Sequence, residues 1–248
     1  MKVVYVLWLR QLKRFFRARS RILGAIGQPL LFLLALGYGL GAVFARAGQG
    51  NYVAFLVPGI MAQTVLFSAI FYGAMIIFDR QFGFLKETLV APVPRFLIML
   101  GGALGGATTA VLQGMIVFVV SLLFGFRPEH WAMLPVTFLI LAMLAVAIAC
   151  FSSAIGSFVE DMQGFQAINQ FLIFPLYFLS GSLYPLSGLP TWLKVITEVN
   201  PMSYAVDAMR STLIGQTHLG LGKDMLVLSI TLVVLVGFGA YRFQRIKA

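Results

Sequence analysis

Six stretches of this sequence run without a single Asp, Glu, Lys, Arg or His: roughly Ile22–Ala45, Val53–Phe78, Phe96–Phe126, Trp131–Val159, Phe165–Tyr184 and Met225–Tyr241. About 20 apolar residues in a helix cross the ~30 Å hydrocarbon core of a bilayer, and inside lipid a helix is the simplest way to satisfy every backbone N–H and C=O. The runs therefore predict an all-α membrane protein with six transmembrane helices. The third and fourth exceed the minimum and must tilt, project or break, whereas the sixth is barely long enough. No fixed-period repeat and no cleavable leader interrupts this reading, so residues 22–248 are expected to form one membrane domain.

Composition excludes the soluble alternative. Sixty per cent of residues are apolar and only 10% charged, where a soluble domain carries about a quarter charged. The net charge of +10 does not point to nucleic acid, because the cations gather at segment ends rather than interleaving with aromatics on one face. Anionic lipid headgroups are the expected partner. The single cysteine, Cys150, lies within an apolar run and offers neither a disulfide nor a metal-ligand spacing. With the N-terminus inside, thirteen Lys and Arg residues fall on the cytoplasmic side and five on the other, which predicts that both termini are cytoplasmic.

Three segments lie outside the runs. In residues 1–21, Tyr5, Trp8, Leu12, Phe15 and Phe16 recur at helical spacing opposite Arg10, Lys13, Arg14, Arg17 and Arg21. That pattern predicts an amphipathic interfacial helix with its cations facing lipid phosphates, either a topology anchor or a connecting element that touches a partner. Residues 79–95, DRQFGFLKETLVAPVPR, form a charged island between the second and third runs. Arg80, Phe82, Gly83, Phe84, Lys86 and Glu87 mix charge and aromatic surface on a short helix that Pro92 and Pro94 stop, as a docking knob would. Residues 185–222 predict two short re-entrant helices before the last span, the second capped by Asn200 and Pro201. Asp207 and Arg210, three residues apart there, predict a structural ion pair near the outer leaflet.

Within the runs only neutral polar groups occur, among them Gln28, Gln63, Thr64, Gln113, Asn169 and Gln170. Proton carriers and intramembrane proteases need titratable groups at depth, so both classes lose weight. Amides of this kind either hydrogen-bond between helices or line a path, and Asn169 with Gln170, close to Pro175, are the pair most suited to a path. Glycines spaced by four, Gly37 with Gly41, Gly101 with Gly105 and Gly102 with Gly106, predict close helix contacts. Pro29, Pro58 with Gly59, and Pro175 predict kinks or breaks.

The run VPGIMAQTVLFSAIFYGAMIIFDRQFGFLKETLVAPVPR, Val57–Arg95, resembles the signature of type-2 ATP-binding-cassette permeases, and NPMSYAVDAMR, Asn200–Arg210, resembles the external motif before that family's last span. The similarity extends to the bacterial branch for drug, lipo-oligosaccharide and polysaccharide export. It implies a permease homodimer in a four-subunit complex with two copies of a separate ATPase, in a bacterial inner membrane, exporting an amphipathic or lipid-linked substrate. The resemblance makes the island the coupling helix, with Arg80, Phe82, Gly83, Phe84, Lys86 and Glu87 as ATPase contacts. The first, second and fifth spans would line a path that includes Gln28, Gln63, Asn169, Gln170 and Phe174. It implies no cofactor on this chain, and ATP with Mg on the partner; the sequence contains no GxxxxGK[ST] phosphate loop. Glu160 and Asp161 are either a solvated turn or acids that pair with the basic N-terminal helix. The rival readings are a secondary transporter or channel that works without an ATPase, and a membrane enzyme, for which Asp207, Arg210 and His218 form no catalytic set.

Overall fold

The computed structural model describes residues 2–46, 51–186 and 190–246, the side chains of 19–26 and 45 excepted. The side chains of Arg21 and Ala45, and residues 187–189 near the start of the 185–222 segment, thus lie outside what is described. Among the described residues there is no strand, and the helices are α1 (Lys2–Arg17), α2 (Arg19–Gly39), α3 (Gly41–Arg46), α4 (Tyr52–Ala69), α5 (Phe71–Gln81), α6 (Phe84–Val90), α7 (Arg95–Leu123), α8 (Leu134–Phe158), α9 (Met162–Phe178), α10 (Thr191–Val199), α11 (Pro201–Ile214) and α12 (Leu221–Gln244).

Among the described residues four helical stretches are long and apolar enough to cross a membrane: Tyr52–Gln81, which joins α4 to α5, Arg95–Leu123, Trp131–Phe158 and Leu221–Gln244. The first run supplies α2, whose described apolar portion is Gly27–Gly39. The fifth supplies α9, which at 17 residues falls short of the ~20 that span the hydrocarbon core.

Lipid gives helices no hydrophobic reason to associate, so close packing and interhelical hydrogen bonds carry the assembly. Helix α4 forms the centre, buried almost continuously from Phe55 to Leu66, with α2, α7, α8 and α11 around it. Small residues set the closest approaches. A Cβ on Gly156 would stand 2.5 Å from the Gly73 carbonyl oxygen, and one on Gly239 would stand 2.7 Å from that of Cys150. Gly102 and Gly106 make room for the ring of Tyr72, whose hydroxyl donates to the Met99 carbonyl at 3.0 Å.

The second run breaks, though not at the proline. Helix α4 continues through Pro58 to Ala69, and the interruption falls at Ile70. There Ser152 of α8 inserts its hydroxyl into the ladder, donating to the Ile70 carbonyl at 2.5 Å and accepting from the Gly73 N–H at 3.0 Å. Gly73 N–H also turns to Ile70 three residues back, at 3.1 Å. An inserted side chain is a recognised cause of such a break, and the sequence of the second run alone carries no sign of it.

The N-terminal helix packs along α7. Gly101 and Gly105 let α1 approach α7: their Cβ positions would fall 3.0 Å from the Val4 backbone and 2.6 Å from Gln11. The Trp8 indole N–H donates to Thr108 Oγ1 at 3.0 Å. Arg10 and Arg14 both reach Asp79 at the end of α5, a fixed carboxylate within reach that supplies charge-assisted hydrogen bonds. Of the two acids considered as partners for this helix, Asp161 accepts from the Gly164 N–H as the N-cap of α9 and Glu160 is exposed.

Candidate functional site

The charged island is a turn and a short helix held from both sides. Helix α5 ends at Gln81, and Gly83 adopts φ +80°, a left-handed conformation that glycine takes without a Cβ penalty. The reversal starts α6, whose Leu85 is buried while Phe82, Phe84, Lys86 and Glu87 are exposed. Phe82 stacks on Phe78 with ring centroids 6.5 Å apart.

Asp79 and Arg80, adjacent in sequence, turn to opposite neighbours. Asp79 receives Arg10 and Arg14 of α1. Arg80 donates to the carbonyls of Ser157 at 2.8 Å, Val159 at 3.0 Å and Gly156 at 3.4 Å, closing the C-terminus of α8, where orphan carbonyls and the helix dipole favour a cation. Arg95, at the far end of the island, does the same for α12 through Gln244 and Ile246, at 2.9 and 3.0 Å. Arg80 is therefore a clamp between helices, and of the six candidate contacts Phe82, Phe84, Lys86 and Glu87 are exposed, with Val90 exposed beside them.

At the other end of the bundle, the second sequence motif is built into the protein rather than set against lipid. Both the apolar face of α11 (Met202, Ala205, Met209, Leu213) and its polar face (Ser203, Asp207, Arg210) are buried. Asn200 accepts from the Met202 N–H at 3.0 Å and donates to the Leu176 carbonyl at 2.7 Å, joining the start of α11 to the end of α9. Helix α10 differs, with Trp192, Val195, Ile196 and Val199 exposed.

Asp207 and Arg210 do not form the ion pair expected from their spacing. The Asp207 carboxylate accepts from the N–H groups of His218 (3.0 Å) and Leu219 (2.7 Å) and from Thr217 Oγ1 (3.2 Å), fixing the turn into α12. Arg210 donates to the carbonyls of Gly181 (2.7 Å), Ser182 (3.2 Å) and Phe55 (3.4 Å), and its guanidinium lies 3.6 Å from the centroid of the Phe55 ring. Backbone groups won over the neighbouring side chain because each charge is buried and needs several partners, which one opposite charge does not supply. Burial pushes the Arg210 guanidinium down to about 10, with Asp207 and Tyr52 acting against that shift, so it stays charged at neutral pH. Two features complete this lock: Tyr52 donates to the Leu183 carbonyl at 2.9 Å, and a Cβ on Gly59 would sit 2.6 Å from the Ser182 oxygen. Asp224, just before the sixth run, lies buried in the first turn of α12.

The neutral polar residues separate into two adjoining spaces. Gln28, Asn169, Gln170 and Phe174 line an open groove of about 480 Å³ between α2, α5 and α9, walled by Phe67, Phe71, Phe78 and Phe165. Gln63 instead enters a smaller cavity of about 100 Å³ between α1, α2, α4, α5 and α7, lined by both polar and apolar side chains. Of the polar residues lining that cavity, Gln113 takes the interhelical role open to such amides, accepting from Ser68 of α4; Ser68, Thr109 and Gln11 are not among the residues the sequence singles out. A period of four from Thr64 to Ser68, and from Thr109 to Gln113, was the available signal.

The family model described as ABC-2 type transporter matches residues 2–214. "Putative transport permease ycf38" of Cyanophora paradoxa is 30% identical over 214 residues, covering 84% of this chain and 72% of the relative. "Nodulation protein J" of Rhizobium leguminosarum bv. viciae is 28% identical over 219 residues, covering 88% and 84%. "Inner membrane transport permease YadH" of Escherichia coli K12 is 27% identical over 236 residues, covering 92% and 89%. With one model spanning most of the chain and with transport permeases among its relatives, this protein belongs to the ABC-2 type transporter family and is a multi-pass membrane permease.

Proposed function

We propose that the chain is the six-span permease subunit of an ATP-driven exporter in a bacterial inner membrane, with α2 and α9 as the two remaining spans. It works as a homodimer with two copies of a separate ATPase that binds ATP and Mg, and it moves an amphipathic or lipid-linked substrate. The observation that carries this reading is the exposed surface of Phe82, in the turn, and Phe84, Lys86 and Glu87, on the short helix α6, whose flanks are clamped to the bundle through Asp79, Arg80 and Arg95. A free knob on a rigid stem suits force transfer: displacement of α6 by a docked partner would pass to α1 through Asp79 and to α8 through Arg80. Both termini and the knob are cytoplasmic on this reading, as the distribution of basic residues requires, and the relative named as an inner membrane permease supports the location.

Proteoliposomes holding the permease and its ATPase should translocate a fluorescent short-chain phospholipid only when ATP and Mg are supplied. Glu87→Arg should lower that rate about tenfold or more, since a reversed charge at a docked contact costs at least ~1.4 kcal/mol, while insertion and dimerisation remain unchanged. Equal rates in Glu87→Arg would remove the docking assignment. Full transport by the permease without an ATPase would instead establish the secondary transporter or channel.

A further inference from the structure

At the start of α12, Asp224 has an exposure of 0%, and among the described residues neither of its carboxyl oxygens meets a donor. A charged carboxylate held there would carry the full cost of its desolvation. Its carboxyl group faces that of Asp207 on α11 within hydrogen-bonding reach, and two carboxylates at that range do not both stay charged. Asp207 already accepts from the N–H groups of Leu219 and His218 and from Thr217 Oγ1, which makes it the acceptor of the pair. A proton on Asp224 then gives Asp207 one more donor and removes the uncompensated charge.

The surrounding charges leave room for that one proton. Arg210, one turn on in α11, balances Asp207, so the pair with its proton is neutral and the pair without it carries an excess negative charge. Lys223 is exposed and stands over the Tyr204 ring at 5.8 Å, where solvent weakens its pull on Asp224. Helices α7 and α8, which also pack on α12, bring nothing to offset the charge. The cation of α7 is Arg95, at the opposite end of the bundle, and the titratable group of α8 is Cys150, which lies against Gly239, about four turns along α12. His218 shares one cavity with Asp207 and Arg210 and another with Lys194 and Glu198 of α10, while Glu129 and His130 abut Gly215. Among the described residues no third acid or imidazole joins the carboxyl pair to hold a metal ion.

We propose that Asp207 and Asp224 share one proton and that this proton is a latch: while it is held, the start of α12 is bound to α11, and its loss drives the two apart. Asp207 anchors residues 217–219 and Asp224 stands in the helical turn that follows, so repulsion between the carboxylates acts directly on that joint. An open cavity of about 150 Å³ lined by Asp207, Thr217 and His218 brings water to the pair, and the proton leaves to solvent through it. The latch lies opposite α6, at the outer end of the bundle in the orientation proposed above, and there it reads pH outside the cell. The folded chain keeps a proton that the unfolded chain releases above about pH 4, so stability falls as pH rises until the folded chain loses the proton too.

Infrared spectroscopy of the full-length protein in detergent tests the shared proton without substrate, nucleotide or ATPase. The chain has only eight acids, so a protonated carboxyl group stands out at about pH 7. The wild type should show one such band, sensitive to deuteration and to heavy-isotope labelling of aspartate, and Asp224→Asn, which keeps an N–H donor for Asp207, should lack it. Hydrogen–deuterium exchange of residues 217–224 reads the latch, taken as the rate in the wild type over that in Asp224→Asn at the same pH, which cancels the intrinsic chemistry. That ratio should rise at least about tenfold between about pH 6 and about pH 9, the change that one proton gives over one pH unit. Should Asp224→Asn fold poorly, the wild type alone decides: its aspartic acid band must vanish over the pH range in which exchange at 217–224 outgrows that along α11. Absence of the band from the wild type, or its survival in Asp224→Asn, would overturn the shared proton, and a flat exchange ratio would overturn the latch.

Discussion

Alanine at Arg210 is expected to cost this protein most of its folded yield. The side chain is 6% exposed, and its removal orphans the carbonyls of Gly181 and Ser182 and weakens the link to Phe55. Each buried acceptor left unmatched costs roughly 1–3 kcal/mol, and the lost guanidinium–ring contact adds about 0.5–2 kcal/mol more. Asp207→Ala should be comparably damaging, because the N–H groups of His218 and Leu219 lose their acceptor. The two residues serve different turns, so the double variant should be less stable than either single, short of the full sum because charges three residues apart on one helix are coupled. Thermal unfolding of the three variants in detergent reads this directly. Recovery in the double variant would restore the ion pair that the spacing suggests and the geometry denies.

A second large effect is expected where α5 crosses α8. Gly73→Val would place a Cβ 2.3 Å from both the carbonyl and hydroxyl oxygens of Ser152. Backbone cannot yield as a side-chain tip does, so the helices must separate, breaking the bonds of Ser152 to Ile70 and Gly73. Overpacking of this kind costs about 1–3 kcal/mol and sometimes more. By contrast, Gly237→Ala meets nothing within 4 Å inside α12 and should be neutral or stabilising by up to ~1 kcal/mol. Size-exclusion profiles of the two variants should show a collapsed peak for the first and a wild-type peak for the second.

What the sequence made legible follows from which forces act locally. Backbone satisfaction in lipid is a local requirement, so uncharged runs announce helices, and the cap at Asn200 is likewise local. Gly101 with Gly105 signalled close packing correctly, but the helix that uses the space is α1, and spacing within one helix does not name its partner. Ser152 lies 82 residues from the carbonyl it engages, so the break at Ile70 had no local mark, while Pro58, which had one, leaves α4 continuous. Charge pairing misled for a related reason: a spacing of three brings Asp207 and Arg210 near each other, yet burial made backbone groups from distant turns the better partners. The same holds for Arg80, whose three carbonyls come from α8 and its C-terminal end. The exposed residues of the island were the easiest to read, since their surroundings are solvent and nothing distant competes for them.

The central claim is that α6 is where a separate ATPase docks. A photo-crosslinking side chain placed singly at Phe82, Phe84 or Lys86, and at Thr191 or Gln216 as exposed controls at the opposite end of the bundle, tests it in intact cells. The account predicts an ATPase adduct from each of the three island positions and none from the two controls. An adduct from Thr191 or Gln216, or its absence from all three island positions while the complex still copurifies, would contradict the account.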